Sequence, residues 1–362
     1  MSRRIWMVVT ASALVATITV AGAGGALGAS RILHTTHGTR SALRARGRKT
    51  ACHLWAVVNS DGSLARSGCS GTTSHTSIDA GDTNYDVLFT KSVKACAFNA
   101  TVGSSASSGT VPPGLVAATS DVGVVGEGDS PDGVFIEAFN SSGTPTPEGF
   151  HLSVTCGHPK SPACDTWANV KSSGKLVRSG CTGTTSTGTG GSYDVVFTTN
   201  VQSCAYQATI GTSHHTDTSP KDFVAVAGDP ANGDGVFVET FNSSGVETPE
   251  YFQLSVTCGH PKSPACDTWA VVNSDASLAS TGCSGASSTT AGRIGTYDVV
   301  FTKNVTDCAY TATIGSAGSS GSVAPGFVAV VGEGGNADGV YVETFNSSGV
   351  ETQEGFHLTV VC

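Results

Sequence analysis

The chain has 362 residues, of which 13% are charged and 46 are Gly. Gly at roughly twice its ordinary share, without a G-X-Y period, excludes collagen and describes a turn-rich chain long enough for two or three domains. Residues 1–50 hold eight of the 19 Lys+Arg and no Asp or Glu, leaving 11 basic against 28 acidic side chains beyond them, a net of −17; such a body repels phosphate, which excludes nucleic acid as its partner.

Residues 1–29 read as a signal peptide. Ser2-Arg3-Arg4 precedes an apolar run from Ile5 to Val20, and Ala21-Gly22-Ala23 and Ala26-Leu27-Gly28 both suit cleavage. Gly and Ala dilute the run from position 21, so it is short for a stable membrane span. The Ser-Arg-Arg start resembles a twin-arginine export signal, except that Trp6 stands where that pattern has Phe. No Cys lies near the cleavage region to take a lipid. Residues 30–51 form a basic linker containing Arg40, Arg44, Arg46, Arg48 and Lys49. Its composition predicts a disordered, solvated segment, with tethering to anionic surface polymers as the sharper reading. The expected location is secreted and extracellular.

Three copies of one unit follow. Leu152–Ala168 reads LSVTCGHPKSPACDTWA, and Leu254–Ala270 repeats those 17 residues unchanged. The units are Cys52–Cys156, Cys164–Cys258 and Cys266–Cys362, each with four of the 12 cysteines. The first-to-second Cys separation is constant. The second-to-third varies across stretches rich in Gly, Ser and Thr, such as Thr182–Ser192, which read as surface loop. The third unit offers seven strand signals: Thr268–Val272, Ser277–Cys283, Tyr297–Thr302, Cys308–Ile314, Phe327–Val331, Val340–Phe345 and Phe356–Cys362. No stretch beyond the leader shows a helical apolar period. The fold class predicted is all-β: three tandem, disulfide-stapled antiparallel β-sandwich domains of about seven strands each.

Even cysteine numbers in an exported chain favour disulfides over metal thiolates. Cys308 shares a strand face with Tyr310, Ala312 and Ile314, and Cys362 with Phe356, Leu358 and Val360, so the third and fourth cysteines both point to the core. A hairpin with Ser60-Asp61 at its tip sets Cys52 opposite Cys69 and Val57 opposite Leu64; a Gly bulge would shift this register by one residue. First-to-second and third-to-fourth pairing is therefore expected throughout: Cys52–Cys69, Cys96–Cys156, Cys164–Cys181, Cys204–Cys258, Cys266–Cys283 and Cys308–Cys362. The Cys and His pairs are too far apart for a structural zinc site, and neither metal nor cofactor is expected.

Motifs of nucleophilic, metalloprotease, redox or phosphate-binding chemistry do not occur. His151 and His357 occupy equivalent outward positions, but the second unit has Gln253 there, so a catalytic triad built on that His would fail in one copy. His214-His215 occurs only in the second unit, as a solvated loop pair. Asp132-Gly133, Asp234-Gly235 and Asp338-Gly339 read as turns, since the other ligands of a calcium loop are missing. The strand that follows carries Phe135, Glu137 and Phe139, then Phe237, Glu239 and Phe241, then Tyr341, Glu343 and Phe345 on one face. Aromatic rings for stacking and a carboxylate for hydroxyls suit a sugar, which makes these nine residues the candidate ligand strip. They equally suit a structural strand whose Glu meets a backbone group or Arg66 or Arg178, either partly solvated or at a contact between units.

Trp-Ala-Val-Val-Asn-Ser-Asp-Gly at 55–62, Tyr-Asp-Val-Val-Phe-Thr at 297–302, Asp-Cys-Ala-Tyr-Thr-Ala-Thr-Ile-Gly at 307–315, Gly-Val-Tyr-Val-Glu-Thr-Phe at 339–345 and Phe-His-Leu-Thr-Val-Val-Cys at 356–362 together resemble a β-rich domain of secreted proteins from high-GC Gram-positive bacteria (actinobacteria). The resemblance covers all three units, implies export and agrees with third-to-fourth cysteine pairing. It brings no catalytic residues; the departure is triplication of a usually single domain. The functional expectation is a non-enzymatic array of binding or adhesion modules for a surface glycan or protein, gaining avidity through repeated ligand-facing residues. The alternatives are a structural spacer that self-associates, and a hydrolase using Glu239 with Asp234. Prolines 159 and 162 in the seven-residue linker Gly157–Ala163 are expected to limit swing between units. Asn140, Asn242 and Asn346 match the glycosylation acceptor pattern and read as turns.

Overall fold

β-Branched and aromatic residues at alternate positions recur through the three units, and each such run is a strand. The computed structural model describes residues 52–77, 83–120, 132–157, 165–212, 221–229, 231–259, 267–316, 318 and 323–362. The signal peptide, the basic linker, His214-His215, Pro159, Pro162, Cys164 and Cys266 lie outside the described residues. The described chain is all-β. No helix long and apolar enough to cross a membrane occurs among the described residues.

The first unit contributes β1 (Leu54–Val58), β2 (Leu64–Ser67), β3 (Thr73–Ser77), β4 (Asn84–Leu88), β5 (Cys96–Gly103), β6 (Gly114–Ser120), β7 (Gly133–Asn140) and β8 (Phe150–Cys156). The second contributes β9 (Trp167–Val170), β10 (Leu176–Ser179), β11 (Thr185–Thr189), β12 (Ser192–Val196), β13 (Ala205–Ile210), β14 (Phe223–Gly228), β15 (Gly235–Phe241) and β16 (Phe252–Thr257). The third contributes β17 (Thr268–Val272), β18 (Leu278–Thr281), β19 (Ser287–Thr290), β20 (Thr296–Val300), β21 (Ala309–Ser316), β22 (Gly326–Gly332), β23 (Gly339–Asn346) and β24 (Phe356–Val361).

Among the described residues each unit has eight strands, against the expected seven. The additional ones are β3, β11 and β19, within the stretches expected to be loop. Each is an outermost strand paired on one side only, to β4, β12 or β20. Ser and Thr suffice there because such a strand buries little, so no apolar alternation marks it.

In each unit, strands one, two, five and eight pair antiparallel, as do strands three, four, six and seven. Residues from both sets share a core: Phe98, Phe150 and Tyr85 in the first unit, Tyr206, Phe252 and Tyr193 in the second, Tyr310, Phe356 and Tyr297 in the third. The sheets do not stop at unit boundaries. β22 pairs parallel with β5 and β14 with β21, giving two eight-stranded sheets, and residues 51–362 form one compact body. A further apolar cluster draws Val102 and Val111, Phe223 and Phe241, and Phe327 and Phe345 from all three units.

Cys52–Cys69, Cys96–Cys156, Cys204–Cys258 and Cys308–Cys362 are disulfides, and Cys181 and Cys283 are also disulfide-bonded. Cys96 lies directly opposite Cys156 in the β5–β8 ladder, with Cα atoms 4.1 Å apart, the close approach of a non-hydrogen-bonded pair. The first hairpin has a bulge between Val57 and Val58, so Val57 faces Arg66 and Val58 faces Leu64. That is the shifted register; Cys69 reaches Cys52 from beyond the end of β2.

Candidate functional site

The chemistry-bearing side chains converge where the units meet. β5, β13 and β21 each pair with one neighbour in their own unit, and alternate backbone groups on the other edge must find partners elsewhere. They find side chains of the next unit. Thr101 Oγ1 accepts from Ala312 N (2.8 Å) and donates to Ala312 O (3.0 Å). Thr313 does the same for Ala208 (2.9 and 3.2 Å), and Thr209 for Ala100 (2.9 and 3.4 Å). One hydroxyl thus replaces the two hydrogen bonds a neighbouring strand would supply, and the contacts run in a closed cycle through all three units.

A second cycle lies beside the first. His151 Nδ1 accepts from Tyr310 N (2.9 Å), His357 Nδ1 from Tyr206 N (3.1 Å), and Gln253 Oε1 from Phe98 N (2.8 Å). A ring nitrogen that accepts from a peptide N–H carries no proton, so the other nitrogen holds it and donates. Nε2 of His151 meets Ser104 O (3.1 Å) and that of His357 meets Ser316 O (3.2 Å). Gln253 Nε2 likewise donates to Ala118 O (2.8 Å). The position requires one acceptor and one donor, which a neutral imidazole and a primary amide both provide. These residues face away from their own unit's core as expected, yet they are buried. Burial pushes the His151 imidazolium down to about 3, helped by the Arg66 charge, and that of His357 to about 4.

Strands from adjacent units approach so closely here that a side chain does not fit. A Cβ on Gly103 would lie 2.6 Å from Val330 O, on Gly315 2.6 Å from Val226 O, and on Gly211 1.8 Å from Ala118 O. Gly211 also has φ +148°, a backbone conformation that L residues rarely adopt. Gly211→Ala is expected to cost about 3 kcal/mol, measured as a shift in denaturant midpoint at constant m-value.

The candidate ligand strip lies in these contacts. Glu137, Glu239 and Glu343 are buried, as are Phe135, Phe139, Phe241 and Phe345, while Phe237 and Tyr341 are half-buried. Of the two placements open to the Glu face, solvated or between units, Glu239 and Glu343 have the second. Glu343 Oε2 accepts from Val111 N of the first unit (2.7 Å), and Glu239 Oε2 from Val323 N of the third (2.6 Å). The expected arginine partners are corrected. Arg66 and Arg178 extend from the other sheet of their units, and each donates to a backbone carbonyl: Arg66 Nη1 to Ser105 O (2.9 Å), Arg178 Nη1 to Lys94 O. Glu343 Oε1 instead meets Arg293 Nη2 (2.9 Å), which also holds Glu351 Oε1 (3.0 Å). Burial pushes the Glu343 carboxyl up, opposed by the Val111 N–H and the Arg293 charge. Glu343→Gln keeps an acceptor for Val111 N and is expected to cost under about 1 kcal/mol, whereas Glu343→Leu strands that donor and costs about 1–3 kcal/mol. Urea unfolding of both variants measures the difference.

The turn residues do what turns require. Asp234 N and Asp338 N donate to the Asn232 and Asn336 side chains, and the two Asp carbonyls accept from Phe197 N and Phe301 N. The Asn140, Asn242 and Asn346 side chains each accept two backbone N–H groups of their own loop. Among the described residues no group of three or more His, Cys, Asp or Glu could hold a metal ion.

Sequence reasoning missed Thr101, Thr209 and Thr313. The signal was present as Ala-Thr-Val-Gly at 100–103 and Ala-Thr-Ile-Gly at 208–211 and 312–315, a polar residue recurring unchanged on an outward face. No family model matches the chain, and the comparisons with curated proteins and with solved structures found none that matches.

Proposed function

We propose that residues 52–362 form a secreted, non-enzymatic recognition protein for a surface glycan or protein, built as three β-sandwich units locked around one another. The observation that carries this reading is how the reactive side chains are used. Both ring nitrogens of His151 and His357 are engaged by backbone groups, and Glu239 and Glu343 bind backbone N–H groups across unit contacts. Groups so fixed serve assembly rather than proton transfer. The disulfides are consistent with an extracellular setting, and the sequence resemblance to secreted actinobacterial domains agrees. Interlocked units favour a rigid recognition body over a spacer, because units that share sheets do not extend a chain.

The test is binding of purified, oxidised protein to a panel of glycans and cell-wall polymers. Saturable binding that is lost on thermal unfolding supports recognition. Absence of binding to every polymer leaves a structural or protein-partner role.

A further inference from the structure

Between the first and third units lies a cleft of about 280 Å³, near the lower end of ligand-pocket sizes. One wall is Arg66 on β2, with Ser105 and Ser107; the other is Glu333 with Asn336, in the loop after β22. Arg66 lines the cleft and donates from Nη1 to Ser105 O (2.9 Å), while its Nε is shielded from the cleft. Glu333 Oε2 accepts from Asn336 Nδ2 (3.0 Å). Burial and the nearby Asp298 push its carboxyl up. Gly332, Gly335 and Gly339 keep the lining low, so a ligand can reach backbone groups.

The contact between the second and third units lacks this pairing: Ser280 stands at the position of Arg66, and Asp229 at that of Glu333. In sequence, Arg178 of the second unit stands at the position of Arg66 and Asp121 of the first at that of Glu333.

We infer that this cleft binds a small hydroxylated carboxylate of the sugar-acid class, its carboxylate on Arg66 and its hydroxyls on Glu333 and Asn336. The inference rests on the recognition reading and names the ligand chemistry of one site within it. A uronate matches both walls: an anion for the Arg66 guanidinium and hydroxyl donors for Glu333. A neutral sugar satisfies one wall only.

Calorimetric titration of the oxidised protein with D-glucuronate, D-glucose and L-alanine tests it. The expected result is saturable glucuronate binding, weakened at least about tenfold by Arg66→Gln and by Glu333→Gln, with glucose and alanine at least about tenfold weaker. Unfolding midpoints of the variants report folding. If Arg66→Gln does not fold, Glu333→Gln on the opposite wall carries the test. No saturable glucuronate binding, equal binding by wild type and variants, or alanine binding as tight as glucuronate would each overturn the inference. Polymer binding that persists in both variants and is not displaced by glucuronate overturns the cleft while leaving the recognition reading standing.

Discussion

The double substitution His151→Gln, His357→Gln is expected to make the protein about 5 kcal/mol more stable than wild type at about pH 4.5, and to change stability little at about pH 7.5. Gln253 shows that an amide serves this position in the second unit, accepting at 2.8 Å and donating at 2.8 Å. The imidazoles serve equally well while neutral. Their folded-state pKa values, about 3 and about 4, lie below the ordinary 6.5. The unfolded chain therefore takes up protons first. Each histidine contributes its stability fully above about pH 6.5 and loses it as pH falls toward the folded value, about 2–3 kcal/mol per residue at about pH 4.5. Protonation also turns an Nδ1 acceptor into a donor facing a peptide N–H.

Burial acts the other way on Glu148 and Glu250, whose carboxyls are pushed up to about 7. That favours the folded protein as pH falls from about 7 toward the ordinary carboxyl range. The wild-type profile is thus a sum of opposed effects, and only the difference between wild type and the double variant isolates the imidazoles. Urea unfolding of both proteins across this range measures it. A stability difference independent of pH contradicts the assignment.

Thr313→Val is expected to cost about 2–4 kcal/mol, because it leaves both Ala208 N–H and Ala208 C=O without partners in a buried contact. Thr313→Ser, which keeps the hydroxyl, is expected to cost about 1 kcal/mol or less. The same contrast should hold at Thr101, whose hydroxyl serves Ala312. Valine has nearly the shape of threonine, so cavity formation does not confuse the comparison. Denaturant midpoints of the Val and Ser variants decide it; equal costs would mean that the hydroxyls contribute only bulk.

The all-β class and the four cysteine pairs that lie wholly within the described residues were legible from side-chain alternation and spacing, because both depend on contacts within one unit. Tyr85, Phe98 and Phe150 declare their core face by period alone. β3 was not legible, since an edge strand of Ser, Thr and His carries no apolar mark. The larger omission has one physical cause. Thr101, His151 and Glu343 sit on faces that would meet water if each unit stood alone, and alternation cannot distinguish water from a second protein surface. The change from His151 to Gln253 looked like inconsistency in a catalytic position; read as one donor plus one acceptor, it is the same group twice.

The account's central claim is that the three units fold as one interlocked body. Trp55, Trp167 and Trp269 stand at equivalent buried positions, one per unit. In each, the indole N–H has no hydrogen-bond partner, so replacement by Phe strands no acceptor. Three variants of residues 51–362, each keeping one of these Trp with the other two changed to Phe, report the units separately by fluorescence. After correction for the small stability offsets among variants, the interlocked body predicts that guanidinium unfolding proceeds in one transition with the same midpoint and m-value for all three probes. Three distinct midpoints with m-values of about one third the size would show independent domains on a string and contradict the account.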